Sequence, residues 1–146
     1  MLENKTLPIY GNGKNVRDWI HVLDHCNALE LCLLKGPPGE VYHIGADNEM
    51  TNLEIADLIL KYFKKETSWI EFVTDRPGHD LRYAVDSSKI RKELGWKPVY
   101  KFEKAFKETV KWYADNPNWI NRVRTRTGIF NPHIDLWRAH KLKSKR

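Results

Sequence analysis

The chain has 146 residues, of which 41% are hydrophobic and 30% charged, with 25 Lys and Arg against 19 Asp and Glu and a formal charge of +6. That size and apolar content suit one ordinary domain with a core, and they exclude disorder, collagen-like repetition and a membrane-spanning helix, because no apolar run approaches the roughly 20 residues a bilayer requires. The charge is uneven: residues 119–146 hold eight basic residues and one acid, Asp135, whereas residues 1–118 hold 17 basic and 18 acidic side chains, so the basicity belongs to a tail.

Met1 to Lys5 is polar rather than a basic start followed by an apolar stretch, and the expected address is the cytoplasm. Leu7-Pro8-Ile9-Tyr10 and the run from Val16 to Val22 read as extended segments across Gly11-Asn12-Gly13-Lys14, a hairpin signal. Asp24 is suited to cap a first helix, whose apolar positions Ala28, Leu29, Leu31, Leu33 and Leu34 run to Gly36 before the stop Pro37-Pro38-Gly39. Cys26 and Cys32, six apart in that helix, point to different faces. They are expected as reduced core thiols rather than as a bridge, a redox pair or metal ligands.

Val41 to Ile44 has the look of a short buried strand ended by Gly45. Thr51 or Asn52 then caps a second helix with the stripe Leu53, Ile55, Ala56, Ile59, Leu60 and Phe63. A strand over Ile70 to Val73 leads into the loop Asp75-Arg76-Pro77-Gly78-His79-Asp80. A third helix starts at Asp86, carries Ile90 and Leu94, and stops at Gly95. The fourth runs from about Glu103 to Asp115, with Phe106, Val110 and Tyr113 on one side, and ends before Pro117.

The chemistry begins with what is missing. No G-x-G-x-x-G follows a strand and there is no Walker loop. The six histidines, at 21, 25, 43, 79, 133 and 140, are scattered, and His21 and His25 lie on either side of a helix start, so no metal site is expected. What remains suits an anion. Arg17, Arg76 and Arg82 offer planar forks that match a phosphate bidentately. In the Asp75 to His79 loop, Pro77 fixes one dihedral and Gly78 frees the next, which can present Arg76 and His79 in a set geometry. The same loop also reads as a surface turn with a solvated Arg.

The order of Leu-Pro-Ile-Tyr-Gly, Arg17-Asp18-Trp19, Val41-Tyr42-His43-Ile44-Gly45, Asn52, Asp75 to Asp80 and Arg82-Tyr83-Ala84-Val85-Asp86 resembles the C-terminal, substrate-binding part of the dTDP-glucose 4,6-dehydratase family. These are NAD-dependent extended short-chain dehydrogenase/reductases that act on nucleotide sugars. The resemblance runs to about Val123, and the Asp-Arg-Pro-Gly-His-Asp loop with Arg-Tyr-Ala behind it is its specific part. It implies a mixed α/β fold of four main helices with short strands that lacks the N-terminal Rossmann core, with residues 1–123 as the nucleotide-sugar binding region and 124–146 as a basic tail.

By the same resemblance, Pro8, Ile9 and Tyr10 line the nucleotide site, Arg17 holds the diphosphate and Asn52 contacts the nucleotide. Asp75, Arg76, Pro77, Gly78 and His79 close over diphosphate and ribose. Leu81 stands where the family often has a second Arg. The family oxidises C4 with NAD, loses water across C5 and C6 and returns the hydride to C6. Its glycine-rich NAD loop, Tyr-x-x-x-Lys pair and water-removing acids belong to an N-terminal portion outside these residues. No catalytic residue and no NAD binding are therefore expected of this chain alone. Its expected partners are dTDP-glucose or a similar nucleotide sugar and either a separately encoded N-terminal Rossmann half or a second copy, left as the cover for an unpaired Val41 to Ile44 edge.

The tail mixes Arg122, Arg124 and Arg126 with Trp119, Phe130 and Trp137. Three readings stand: a segment folded back toward the nucleotide, a solvated tail, or a surface for single-stranded nucleic acid, which the neutral body disfavours. Arg138 to Arg146 is expected to be disordered. Beside the dehydratase portion stand two other functions, a non-catalytic nucleotide-sugar binding module and a basic nucleic-acid binder.

Overall fold

A computed structural model describes residues 2–127. In chain order the elements are β1 (Leu7–Tyr10), β2 (Val16–Asp18), α1 (Val22–Lys35), β3 (Glu49–Thr51), α2 (Asn52–Tyr62), β4 (Ile70–Val73), β5 (Arg82–Tyr83), α3 (Ser88–Leu94), α4 (Phe102–Asp115) and α5 (Pro117–Thr127). The fold is mixed α/β, as expected, with a fifth helix beyond the four anticipated. Contacts divide the described residues into two units: 2–14, 52–79 and 109–127 form the first, and 15–51 with 80–108 the second.

In the first unit β1 and β4 pair in parallel, with Leu7 opposite Ile70 and Tyr10 opposite Val73. Ile9 and Val73 are buried, as are Ile55, Ala56 and Leu60 of α2. The stripe of α2 thus packs as its helical period implies. The turn after β1 is real: Gly11 and Gly13 adopt φ of 56° and 72°, and Gly13 N–H donates to the Tyr10 carbonyl at 3.1 Å. A Cβ on Gly13 would stand 2.8 Å from Ile9 Cγ2, and the Gly13 carbonyl accepts the Leu53 N–H at 3.0 Å, which ties the turn to the start of α2.

The expected hairpin does not form. Gly11 N–H donates to the Val73 carbonyl at 2.9 Å, which extends the β1–β4 ladder past Tyr10. β2 ladders instead with β3, antiparallel with Arg17 opposite Met50, and with β5, parallel with Arg17 opposite Tyr83. Each run satisfies its backbone with a partner distant in sequence, so the local turn does not set the pairing.

The second unit is built on Ala28, Ile90 and Trp96, with Ile20, Leu31, Cys32, Tyr42, Ile44 and Leu94 packed around them. Asp24 is not the cap of α1. The helix starts a turn earlier, after His21, and Asp24 lies inside it, 1% exposed, accepting the backbone N–H of Val99 at 2.9 Å and Tyr100 at 3.2 Å. Its backbone carbonyl accepts Trp96 Nε1–H at 3.2 Å. The carboxylate thus ties α1 to the 96–100 loop.

Two further expectations fail here. Cys26 is exposed, because it lies on the face of α1 opposite the buried Ala28, while Cys32 packs against the core cluster; both thiols are free. Val41 to Ile44 is not a strand: no ladder partner pairs with it among the described residues, and Val41 is exposed. Its apolar pattern suits a buried strand, but strand character needs a neighbour's hydrogen bonds. Leu29, Leu33 and Leu34 of α1 are 52%, 85% and 70% exposed, so part of the helix's apolar surface has no partner among the described residues.

α3 begins at Ser88 rather than Asp86, whose carboxylate accepts the Ser88 N–H at 2.8 Å and its hydroxyl at 3.0 Å; α3 ends at Gly95, in the left-handed region with φ 71°. α5 opens with Pro117, which fits a first helical position. Trp119 packs edge-on to Trp112 with centroids 5.0 Å apart, and Arg124 pairs with Glu3. Phe130, Trp137 and the Arg138 to Arg146 run lie outside the described residues.

Candidate functional site

The Asp75 to His79 loop leaves β4 and turns over Pro77 and Gly78, with Gly78 at φ 66°. That turn returns His79 onto the carboxylate four residues before it: His79 Nδ1 lies 2.6 Å from Asp75 Oδ1, which also accepts the Arg76 N–H at 2.9 Å. The His79 side chain is 6% exposed and its ring stands edge-on to Tyr10, with centroids 6.1 Å apart at 84°. Gly11 makes room for the carboxylate, since a Cβ there would stand 2.7 Å from Asp75 Oδ2. The His79 hydrogen bond holds the Asp75 carboxyl below its ordinary pKa against an opposing desolvation, and the Arg76 N–H and the His79 and Arg76 charges add smaller effects in the same downward direction.

The first unit therefore brings together Tyr10, Asp75 and His79, with Arg76, Pro77 and Gly78 exposed around them. Pro8 is half-buried, and Ile9 belongs to the core. Asn52 is half-buried at the first position of α2.

Arg17 belongs to the second unit. Its register opposite Tyr83 places the guanidinium carbon 4.8 Å above the Tyr83 ring, where Nη1 donates to the Val16 carbonyl at 2.6 Å and Nη2 to the Asp80 carbonyl at 3.0 Å. The Tyr83 hydroxyl donates to the Asp80 carboxylate. A cavity of about 160 Å³ is lined here by Arg17, Asp18, Ile44, Tyr83, Ala84 and Val85. Asp18 shapes its wall by accepting three backbone N–H groups, from Ala46 at 2.8 Å, Asp47 at 3.3 Å and Asn48 at 2.9 Å.

Arg82 is not a spare anion fork. Its Nε and Nη2 each lie 2.6 Å from the Glu49 carboxylate, which that pairing holds below its ordinary pKa. At this exposure the pair adds little to stability. Asp18, Asp80 and Tyr83 are the residues that sequence reasoning did not single out. They occur in the motifs Arg-Asp-Trp, Asp-Arg-Pro-Gly-His-Asp and Arg-Tyr-Ala, but their roles depend on the β2–β5 register. Among the described residues no group of His, Cys, Asp or Glu is arranged to hold a metal ion, and no helix is long and apolar enough to cross a membrane.

Residues 1–109 match the family described as GDP-mannose 4,6 dehydratase. The dTDP-glucose 4,6-dehydratase of Salmonella typhimurium is 48% identical over 131 residues, covering 85% of this chain and 36% of that enzyme. Among solved structures, a dTDP-glucose 4,6-dehydratase from Bacillus anthracis in complex with NAD is 51% identical with a TM-score of 0.76, over 81% of this chain and 37% of that one. One from Streptomyces venezuelae with NAD and TYD bound is 45% identical with a TM-score of 0.78, over the same shares. The chain thus spans little more than a third of the length of the relatives it matches.

Proposed function

Since the chain belongs to the GDP-mannose 4,6-dehydratase family, we propose that it is the nucleotide-sugar binding portion of a dTDP-glucose 4,6-dehydratase, with residues 1–123 binding dTDP-glucose or a close analogue and no dehydration by this chain alone. The observation that carries this reading is the Asp75 to His79 loop: an exposed Arg76 guanidinium beside a nearly buried His79 that a carboxylate holds in place. A cationic fork meets a diphosphate, and an oriented ring nitrogen meets a hydroxyl. In the second unit, taken by itself, Arg17 steadied over Tyr83 is a cation of the kind that the family resemblance gives to a diphosphate.

NAD supplies the hydride chemistry of the family when bound. The residues described here do not fit it: the Gly11-Asn12-Gly13 turn after β1 leads into β2, not into a helix N-terminus that could seat a pyrophosphate. Binding of NAD is therefore assigned to an N-terminal portion of the dehydratase.

Titration with dTDP tests the proposal. The Arg76→Ala variant is expected to bind about 10- to 100-fold more weakly, the loss of one or two charge-assisted hydrogen bonds. Weak binding unchanged by the substitution overturns the diphosphate clamp.

The apolar residues of α1 and the unladdered Val41 to Ile44 segment are the surface on which the N-terminal portion would seat, its sheet edge supplying the missing ladder. Chromatography with light scattering is expected to show self-association of the isolated chain, together with binding of an apolar dye. A monomer that binds no dye counts against this surface.

A further inference from the structure

We propose that Asp75 is a positioning residue that sets the tautomer of His79, so that Nε2 is left as the ring nitrogen that accepts from a hydroxyl of a bound nucleoside diphosphate. The inference rests on the function proposed above and adds the group that prepares the site.

An ionised carboxylate accepts hydrogen bonds and donates none, so a ring nitrogen 2.6 Å from Asp75 Oδ1 must carry the proton. Nδ1–H is the less favoured tautomer of a free imidazole in water, and a carboxylate at that nitrogen reverses the preference. The lowered pKa of Asp75 agrees with a carboxylate that remains charged.

The ring has little freedom to escape. Its side chain is 6% exposed, its edge meets Tyr10, and the Pro77-Gly78 turn fixes its distance from Asp75. Nε2 makes no hydrogen bond among the described residues, so the pair has one nitrogen committed and one unused. Gly11 is part of the arrangement, because any side chain there would push the Asp75 carboxylate away from the ring. The other titratable groups beside the pair are Tyr10 and Arg76.

The test reads the ring nitrogens of His79 by NMR in the ¹⁵N-labelled full chain at about pH 8, where an unperturbed imidazole is neutral, and titrates the same samples with dTDP. In the wild-type chain Nδ1 is expected to show the shift of a protonated nitrogen and Nε2 that of an unprotonated one. Asp75→Ala should shift the proton toward Nε2, whereas Asp75→Asn, whose amide oxygen still accepts, should keep the wild-type pattern and guard against a variant that fails to fold.

Affinity for dTDP should fall about tenfold in Asp75→Ala and by less than about threefold in Asp75→Asn, the difference of about one hydrogen bond. In a His79→Ala background, Asp75→Ala should cost nothing more, because its effect runs through the ring. A wild-type ring protonated at Nε2, or an equal loss of affinity with and without His79, overturns the proposal. If the wild-type chain does not bind dTDP, the acceptor role falls with the binding reading. The nitrogen shifts then still decide separately whether Asp75 sets the tautomer.

Discussion

Replacing Asp24 with alanine is expected to destabilise the second unit by about 3–5 kcal/mol, the largest loss for any single side chain discussed here. The carboxylate is buried and accepts two backbone N–H groups, those of Val99 and Tyr100, so truncation takes the acceptor from both donors. Each hydrogen bond to a charged acceptor contributes about 1.5–3 kcal/mol. Denaturant unfolding measures the total, and hydrogen exchange localises it: the Val99 and Tyr100 amides should exchange at least about 30-fold faster, since 2 kcal/mol corresponds to that ratio. The Trp96 bond to the Asp24 backbone carbonyl survives the substitution, so the indole should remain packed. Asp24→Asn keeps one acceptor oxygen and should lose about half as much. A loss below about 1 kcal/mol in the alanine variant would show that water reaches the orphaned amides.

The second large effect is at Gly45, which is buried under the Asp18 side chain. An alanine Cβ there would stand 2.5 Å from Asp18 Oδ2, 3.1 Å from Val85 Cγ2 and 3.3 Å from the Val85 carbonyl. The oxygen cannot retreat cheaply, because it accepts from Ala46 N–H at 2.8 Å and Asp47 N–H at 3.3 Å while its twin accepts from Asn48 N–H at 2.9 Å. Gly45→Ala is expected to cost about 2–3 kcal/mol, through overpacking and lost bonds to a charged acceptor. Because Asp18, Ile44 and Val85 all line the cavity beside Arg17, the same change should also weaken dTDP binding. Thermal unfolding and the dTDP titration together check this. A fully stable Gly45→Ala chain with unchanged affinity would mean that the 45–48 turn is not held by Asp18 in solution.

How far the sequence could be read depends on whether a feature is local. The stripe of α2 was legible because Ile55, Ala56 and Leu60 recur at the helical period and pack accordingly. The Asp75 to His79 loop was legible because its proline and glycine imply a turn, and a turn brings residues four apart together. The pairing of β1 was not, since its partner Ile70–Val73 lies some sixty residues away and the intervening Gly-Asn-Gly turn mimics a hairpin. Asp24 differs from its sequence pattern for a related reason: a carboxylate near a helix start suits a cap, and nothing nearby in sequence reveals that the Val99 and Tyr100 amides claim it. Asp18 and Tyr83 needed the β2–β5 register before their roles beside Arg17 could be seen.

The leucines that α1 leaves in water carry a thermodynamic consequence as well. Apolar surface already hydrated in the folded chain contributes nothing to the heat capacity gained on unfolding, and Leu33 and Leu34 are among the most exposed side chains of their kind here. The heat-capacity change of the isolated chain is therefore expected to fall below the ~12–15 cal/mol/K per residue of fully packed domains. A smaller change gives a flatter stability curve, and a partner that covers the α1 face would steepen that curve as well as raise it.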